Sequence, residues 1–182
     1  MFLLEVSTLD LGEDVRAAAL DLTEEDEEPA RGPETAPIWA GVLPALAGDE
    51  RWVLDFFSHL ETVREFCERH EIAFREGAGR SLVLPAPTEG QLEALFVRFE
   101  RETFGVRAGG LLEAGDAALE RDLVRRGMDA YHPVFGNYFF CAVCDFSEGS
   151  LAVLSQGLNA PEIVRRVKPR LDELDVEVFQ PS

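Results

Sequence analysis

"RWVLDFFSHLETVREFCERH", residues 51–70, changes character at its midpoint. Residues 51–57 are dominated by strand-forming side chains and predict a β-strand. From residue 60 onward Leu60, Val63, Phe66 and Cys67 recur on one face of a helix. Ser58 and Glu61 stand between the two patterns at capping-box spacing, which predicts where the helix starts. A strand feeding directly into a helix sets the class, and the next residues extend it. "EIAFREGAGRSLVLPAP", 71–87, predicts a hairpin whose turn lies in the Gly-bearing "EGAGR". Thr88 and Gln91 form a second capping-box pair, ahead of an apolar stripe of Leu92, Leu95, Phe96 and Phe99. The order over 51–104 is strand, helix, strand, strand, helix.

Towards the C-terminus a related order follows. "LLEAGDAALERDLVRRG", 111–127, predicts a helix with Leu112, Leu119 and Leu123 on overlapping faces and Gly127 as its stop. "NYFFCAVCDF" (137–146) and "SLAVLSQ" (150–156) predict a hairpin across "SEG". Asn159 is placed to cap a helix over "APEIVRRVKPRLDEL", which Pro169 should end or kink, and "DVEVFQ" predicts a last strand. Towards the N-terminus, "FLLEVSTLDL" (2–11) predicts a strand and "EDVRAAALDL" (13–22) a short helix. The expected class is α+β, with an antiparallel or mixed sheet carrying helices mainly on one face. The expected arrangement is ferredoxin-like, either once or as a degenerate duplicated pair, although the halves share no residue pattern. Three segments follow: 1–22, a strand and helix; 23–37, an acidic Pro-containing loop; and 38–182, one domain with halves of about 51–110 and 111–182.

With 182 residues and 46% hydrophobic side chains, the chain can bury a sizeable core. No apolar run reaches the roughly eighteen residues a membrane span needs; "IWAGVLPALA" (38–47) comes nearest and contains Pro44. The N-terminus has no basic n-region, so a cytoplasmic location is expected, and three cysteines suit a reducing compartment. The net charge of -18 is unevenly spread, with 13 acidic and 2 basic side chains in residues 1–50. Its peak is "TEEDEEPARGPETAP", 23–37, whose acidic run and three prolines predict a mobile surface loop. Such a charge repels phosphate backbones, so no nucleic-acid partner is expected.

The CxxC of residues 141–144 has three possible readings: a redox motif, half a zinc site, or a strand containing cysteines. Residues three apart on an extended strand point to opposite faces about 10 Å apart, whereas a disulfide needs Cα atoms within about 7 Å. The neighbours favour the strand, with Tyr138, Phe140, Ala142, Cys144 and Phe146 on one face and Phe139, Cys141 and Val143 on the other. On paper Cys67, His70, Cys141 and Cys144 compose a Cys₃His zinc set, but the strand geometry separates its thiols, so no metal or cofactor is expected. "GAGRS" (77–81) precedes a strand and not a helix, so it is a hairpin turn and not a phosphate loop. His59 and His70 lie at the two ends of one predicted helix, and a histidine at a helix C-terminus is explained by the helix dipole. No hydrolase, metalloprotease or nucleotide-binding motif is present.

Two stretches remain as candidate binding sites. The loop "DAYHPVFGNY" (129–138) presents Tyr131, His132 and Asn137, and the acidic run presents Glu24, Glu25, Asp26, Glu27 and Glu28. The element order over 51–110 resembles that of the small, acidic ferredoxin-like proteins that inhibit a bacterial ribonuclease, without a shared specific motif. Acidity, size and missing catalytic motifs together give the leading expectation. It is a non-catalytic binding or inhibitory protein, of the immunity or regulator type, acting on a protein partner with a basic surface. The alternatives are a small-ligand sensor or structural domain, and an enzyme whose site lies among scattered polar residues.

Overall fold

The computed structural model of the chain describes residues 1–10, 16–24, 28–77, 81–110, 112, 138–155 and 157–181. These form one mixed nine-stranded sheet and four α-helices. In chain order the elements are β1 (Phe2–Asp10), β2 (Arg16–Glu24), α1 (Ala36–Ala47), β3 (Trp52–Phe56), α2 (Leu60–Arg69), β4 (Arg75–Glu76) and β5 (Leu82–Pro85). Then come α3 (Glu89–Arg98), β6 (Thr103–Ala108), β7 (Phe140–Asp145), β8 (Ser150–Ser155), α4 (Ala160–Glu173) and β9 (Val176–Phe179). The sheet order is β4-β5-β3-β6-β7-β8-β2-β1-β9. The β1–β9 pair is parallel and the other pairs are antiparallel.

This order is the same when followed outward in either direction from the β6–β7 seam. Leftward come β6, β3, β5 and β4, where β3 leads into α2 and β5 is followed by α3. Rightward come β7, β8, β2 and β1, where β8 leads into α4 and β2 is followed by α1. The left half is continuous in sequence. The right half is assembled from both ends of the chain, with β2 pairing residue for residue with β8.

Alternation decides which face is core. On β3 Leu54 and Phe56, on β6 Phe104 and Val106, on β7 Phe140, Ala142 and Cys144, and on β2 Leu20 and Leu22 all enter one buried cluster with all four helices. Trp39 of α1 stacks on Phe146 at 4.8 Å, and Phe96, Phe104, Phe56, Phe99 and Phe66 continue the aromatic layer. In the helical layer α1 lies against both α3 and α4, and a Cβ on Gly41 would stand 2.9 Å from Cγ of Arg170. Arg170 therefore crosses α1 where there is no side chain, and it pairs with Glu89 at the start of α3.

Several expectations hold and some fail. The Thr88–Gln91 capping box forms, Asn159 caps α4 by accepting from Glu162 N–H at 2.9 Å, and β4–β5 is the expected hairpin. Residues 16–24 are a strand and not a helix. The alanine-rich "RAAALDL" favours a helix locally, but Ala18, Leu20 and Leu22 alternate into the core and both strand edges are paired, so sheet contacts override propensity. The Ser58–Glu61 box does not form: His59 is the N-cap at φ 49°, and Ser58 Oγ donates to Glu102 instead. Pro169 does not end α4, which runs to Glu173; Pro169 lies on its exposed side, where a freed carbonyl meets water. Tyr138 and Phe139 precede β7, so their faces are exchanged: Tyr138 packs with Cys141, and Phe139 against the helix-side core. The helix expected over 111–127 lies outside the described residues except Leu112.

The 23–37 segment departs from a plain loop. Glu24 N–H donates to Glu28 C=O at 3.0 Å, Thr23 bridges Pro29, and the fully buried Ala30 donates from its N–H to Leu22 C=O at 2.8 Å. A 3₁₀ turn at Pro33–Thr35 then leads into α1, with Thr35 buried. Ala30 and Thr35 provide the burial that an all-acidic loop lacks.

Candidate functional site

The sheet face turned away from the helices has two unlike regions. Around Val53, Val83, Cys141, Leu154 and Ala17, on β3, β5, β7, β8 and β2, it is sealed: these side chains cluster with Leu112 and Tyr138. Inside lies an ion pair, with Arg107 2% and Asp55 1% exposed. Arg107 donates through Nε to Asp55 Oδ2 at 2.6 Å and through Nη2 to Oδ1 at 2.7 Å, and its Nη1 lies 3.4 Å from the Tyr138 hydroxyl. Burial opposes the arginine's charge, but the Asp55 carboxylate more than compensates and holds its pKa above the ordinary value. All three guanidinium nitrogens of Arg107 have a partner in this buried cluster, which makes the pair a structural clamp.

Away from that cluster, along β1 and β9 and around Asp21, Ser150 and Asp145 on β2, β8 and β7, the same face is half open, and it carries the candidate site. The registers Glu5↔Phe179, Glu5↔Asp21, Asp21↔Ser150, Ser150↔Asp145 and Asp145↔Thr103 form one row across six strands. Glu5, Asp21 and Asp145 are each half-buried, and no basic residue interrupts the row. Burial raises the Asp21 pKa, and the Glu5 charge raises it further. Asp145 accepts from Ser147 Oγ at 2.6 Å. Like charges directly opposite on a sheet destabilise it by roughly 0.2–1 kcal/mol. The next row inward is Ser7, Ala19, Ala152, Val143 and Gly105, which carries no charge.

Of the residues singled out from sequence, Glu24 and Glu28 are exposed and held together by their backbone bond. The base of their loop is docked on the 145–149 turn, where Leu22 N–H donates to Gly149 C=O at 2.8 Å. Glu24 and Glu28 therefore lie at the same end of the sheet as Asp21 and Asp145. Glu25, Asp26, Glu27, Tyr131, His132 and Asn137 lie outside the described residues. Sequence reasoning missed Glu5, Asp21 and Asp145, although each sits between two residues that are buried: Leu4 and Val6, Leu20 and Leu22, Cys144 and Phe146. A lone carboxylate inside a period-two apolar pattern was the available signal.

The cysteines are placed as a strand requires. Cys144 belongs to the helix-side core and Cys141 to the opposite cluster, with no bond between them. Burial raises all three thiol pKa values, that of Cys67 to about 11. Among the described residues no group of three or more His, Cys, Asp or Glu is placed to hold a metal. Beside a cavity of about 490 Å³, His59 Nε2 lies 3.3 Å from Glu102, which also accepts from Ser58. The imidazole contacts the carboxylate and not the hydroxyl, so this trio lacks the serine–base bond of a nucleophilic relay. Among the described residues no helix is long and apolar enough to cross a membrane. Comparison of the chain with protein-family models, curated proteins and solved structures found no match.

Proposed function

We propose that the chain is a non-catalytic, cytoplasmic binding protein that engages a protein partner with a basic surface, as an inhibitor, immunity protein or regulator does. The observation that carries this reading is the acidic row on the open sheet face. The fold retains Glu5 directly opposite Asp21, at a cost to its own stability that a cationic partner would turn into a gain. Glu24 and Glu28 extend the same field at one end of the sheet, which favours fast, salt-dependent encounter. We read the scaffold as two ferredoxin-like halves joined through β6 and β7, the second one interrupted by the first. The all-antiparallel order β4-β5-β3-β6 supports this for the continuous half, and the matching order β7-β8-β2-β1 with equivalent helices supports it for the other.

Parallel affinity capture with wild type and an E5Q/D21N/D145N variant tests the reading. A partner with a basic surface should be retained by wild type and lost by the variant. Its association rate should fall steeply from about 0.1 M to about 1 M salt, as the Debye length shrinks from about 10 Å to about 3 Å. Identical retention by both proteins, or an association rate indifferent to salt, would remove the proposal.

A further inference from the structure

The two edges of the sheet are built differently. β4 is two residues long, and both are charged and engaged: Arg75 Nη2 donates to Leu112 C=O at 2.7 Å, and Glu76 pairs with Arg64. Short, charged, occupied edges are how sheets avoid pairing with other chains. β9 is twice as long as β4 and carries one glutamate as its only charge. It is four residues of Val-Glu-Val-Phe in unbroken register with β1, and nothing among the described residues pairs with its outer side. Three large apolar side chains are conspicuously exposed among the described residues. Two of them, Met1 at 68% and Phe179 at 49%, lie on this edge pair.

We infer that β9 is the docking edge for the basic partner proposed above, which contributes an extended segment as a further strand. This inference rests on that reading and specifies how the partner binds. The register places Glu177 and Phe179 on the same face as Glu5 and Asp21, because Leu3 pairs with Glu177 and Glu5 with Phe179. A strand added about 4.8 Å outside β9 has its same-face side chains opposite Glu177 and Phe179. An Arg there can cross the Phe179 ring and approach Glu5, two strands in and about 10 Å away. Unpaired backbone groups on β9 supply affinity, and alternate basic side chains supply the match to the acidic row. A second copy of this chain fits poorly, since each carries -18 and two such charges repel.

The probe is a strand-length synthetic peptide alternating Arg and Val. Two controls accompany it: one of the same composition with Arg and Val in separate blocks, and one N-methylated at alternate backbone nitrogens. The alternating peptide should bind and slow amide hydrogen exchange in Val176–Phe179. The N-methylated peptide should bind about tenfold more weakly or worse, and F179A should weaken the alternating peptide to a similar degree. If all three peptides bind alike with unchanged exchange in β9, edge pairing is overturned. The acidic-face reading then survives only if E5Q/D21N still weakens them. Failure of every peptide to bind removes both. Concentration-dependent dimers abolished by F179A would assign the edge to a second copy and overturn the inference.

Discussion

Replacing Arg107 with methionine removes two short charge-assisted donors from an Asp55 carboxylate that water cannot reach, since that residue is 1% exposed. Removing one partner of a buried, hydrogen-bonded pair costs about 3–5 kcal/mol. Domains of this kind hold only about 5–15 kcal/mol in total, so the variant should lose a large share of its stability. At about 2–4 °C per kcal/mol for a chain of this length, its Tm should fall by about 6–20 °C. The D55L/R107M double variant exchanges the pair for apolar side chains and should recover to within about 2 kcal/mol of wild type. Urea unfolding followed by far-UV circular dichroism, with Trp39 and Trp52 fluorescence as a second probe, gives the two single-variant losses and their coupling. A loss below about 1 kcal/mol for R107M, or strictly additive effects in the double variant, would refute the argument. The sealed half of the non-helical face would then have to admit water.

Three further outcomes are expected. Asp21 has a folded pKa above its unfolded value, so its contribution to stability is present below the unfolded pKa and is lost as pH rises through the folded one. D21N should therefore be more stable than wild type at neutral pH, by up to about 1 kcal/mol, and the difference in Tm should vanish as pH falls towards about 4; a constant difference would contradict this. G149A should lose about 1–3 kcal/mol. Gly149 sits at φ +65°, and a Cβ there would stand 2.8 Å from Ala30 O and 2.9 Å from Leu22 O. Faster cleavage by a Glu-specific protease next to Glu24 and Glu28 would show that the base of the acidic loop had loosened. Cys67, Cys141 and Cys144 should react with a thiol reagent only as the protein unfolds in urea, and rapid native labelling of any of them would break the burial argument.

The legible parts of this fold are those whose signal is local. Thr88 and Gln91 cap their helix within four residues of chain, and the change of period around residues 57–60 marks a strand passing into a helix. What failed depends on distant partners. "RAAALDL" is a strand because β1 and β8 flank it, and β8 comes from the far end of the sequence. Ser58 gave up a local cap for Glu102, which only the folded chain brings near. The acidic row was hidden for the same reason. Glu5, Asp21 and Asp145 are unremarkable carboxylates until the register aligns them, whereas the eye is drawn to the consecutive acids at 24–28. The Asp55–Arg107 clamp needed the β3–β6 register as well, which places Val53 opposite Arg107 and the aspartate one row away.

The interrupted half of the sheet has a consequence for how the protein is made. Residues 52–108 contain every strand and helix of their half, so their contacts are local and can close soon after that stretch leaves the ribosome. The β1–β2 hairpin emerges earlier, yet most of its outer edges pair with residues 150–155 and 176–179. Until those strands arrive, two nine-residue strands with alternating apolar faces wait with both edges open. Glu5 and Asp21 put a charge on each of those strands, and like-charged strands repel while they wait. The charge that we assign to partner recognition would then serve the nascent chain first.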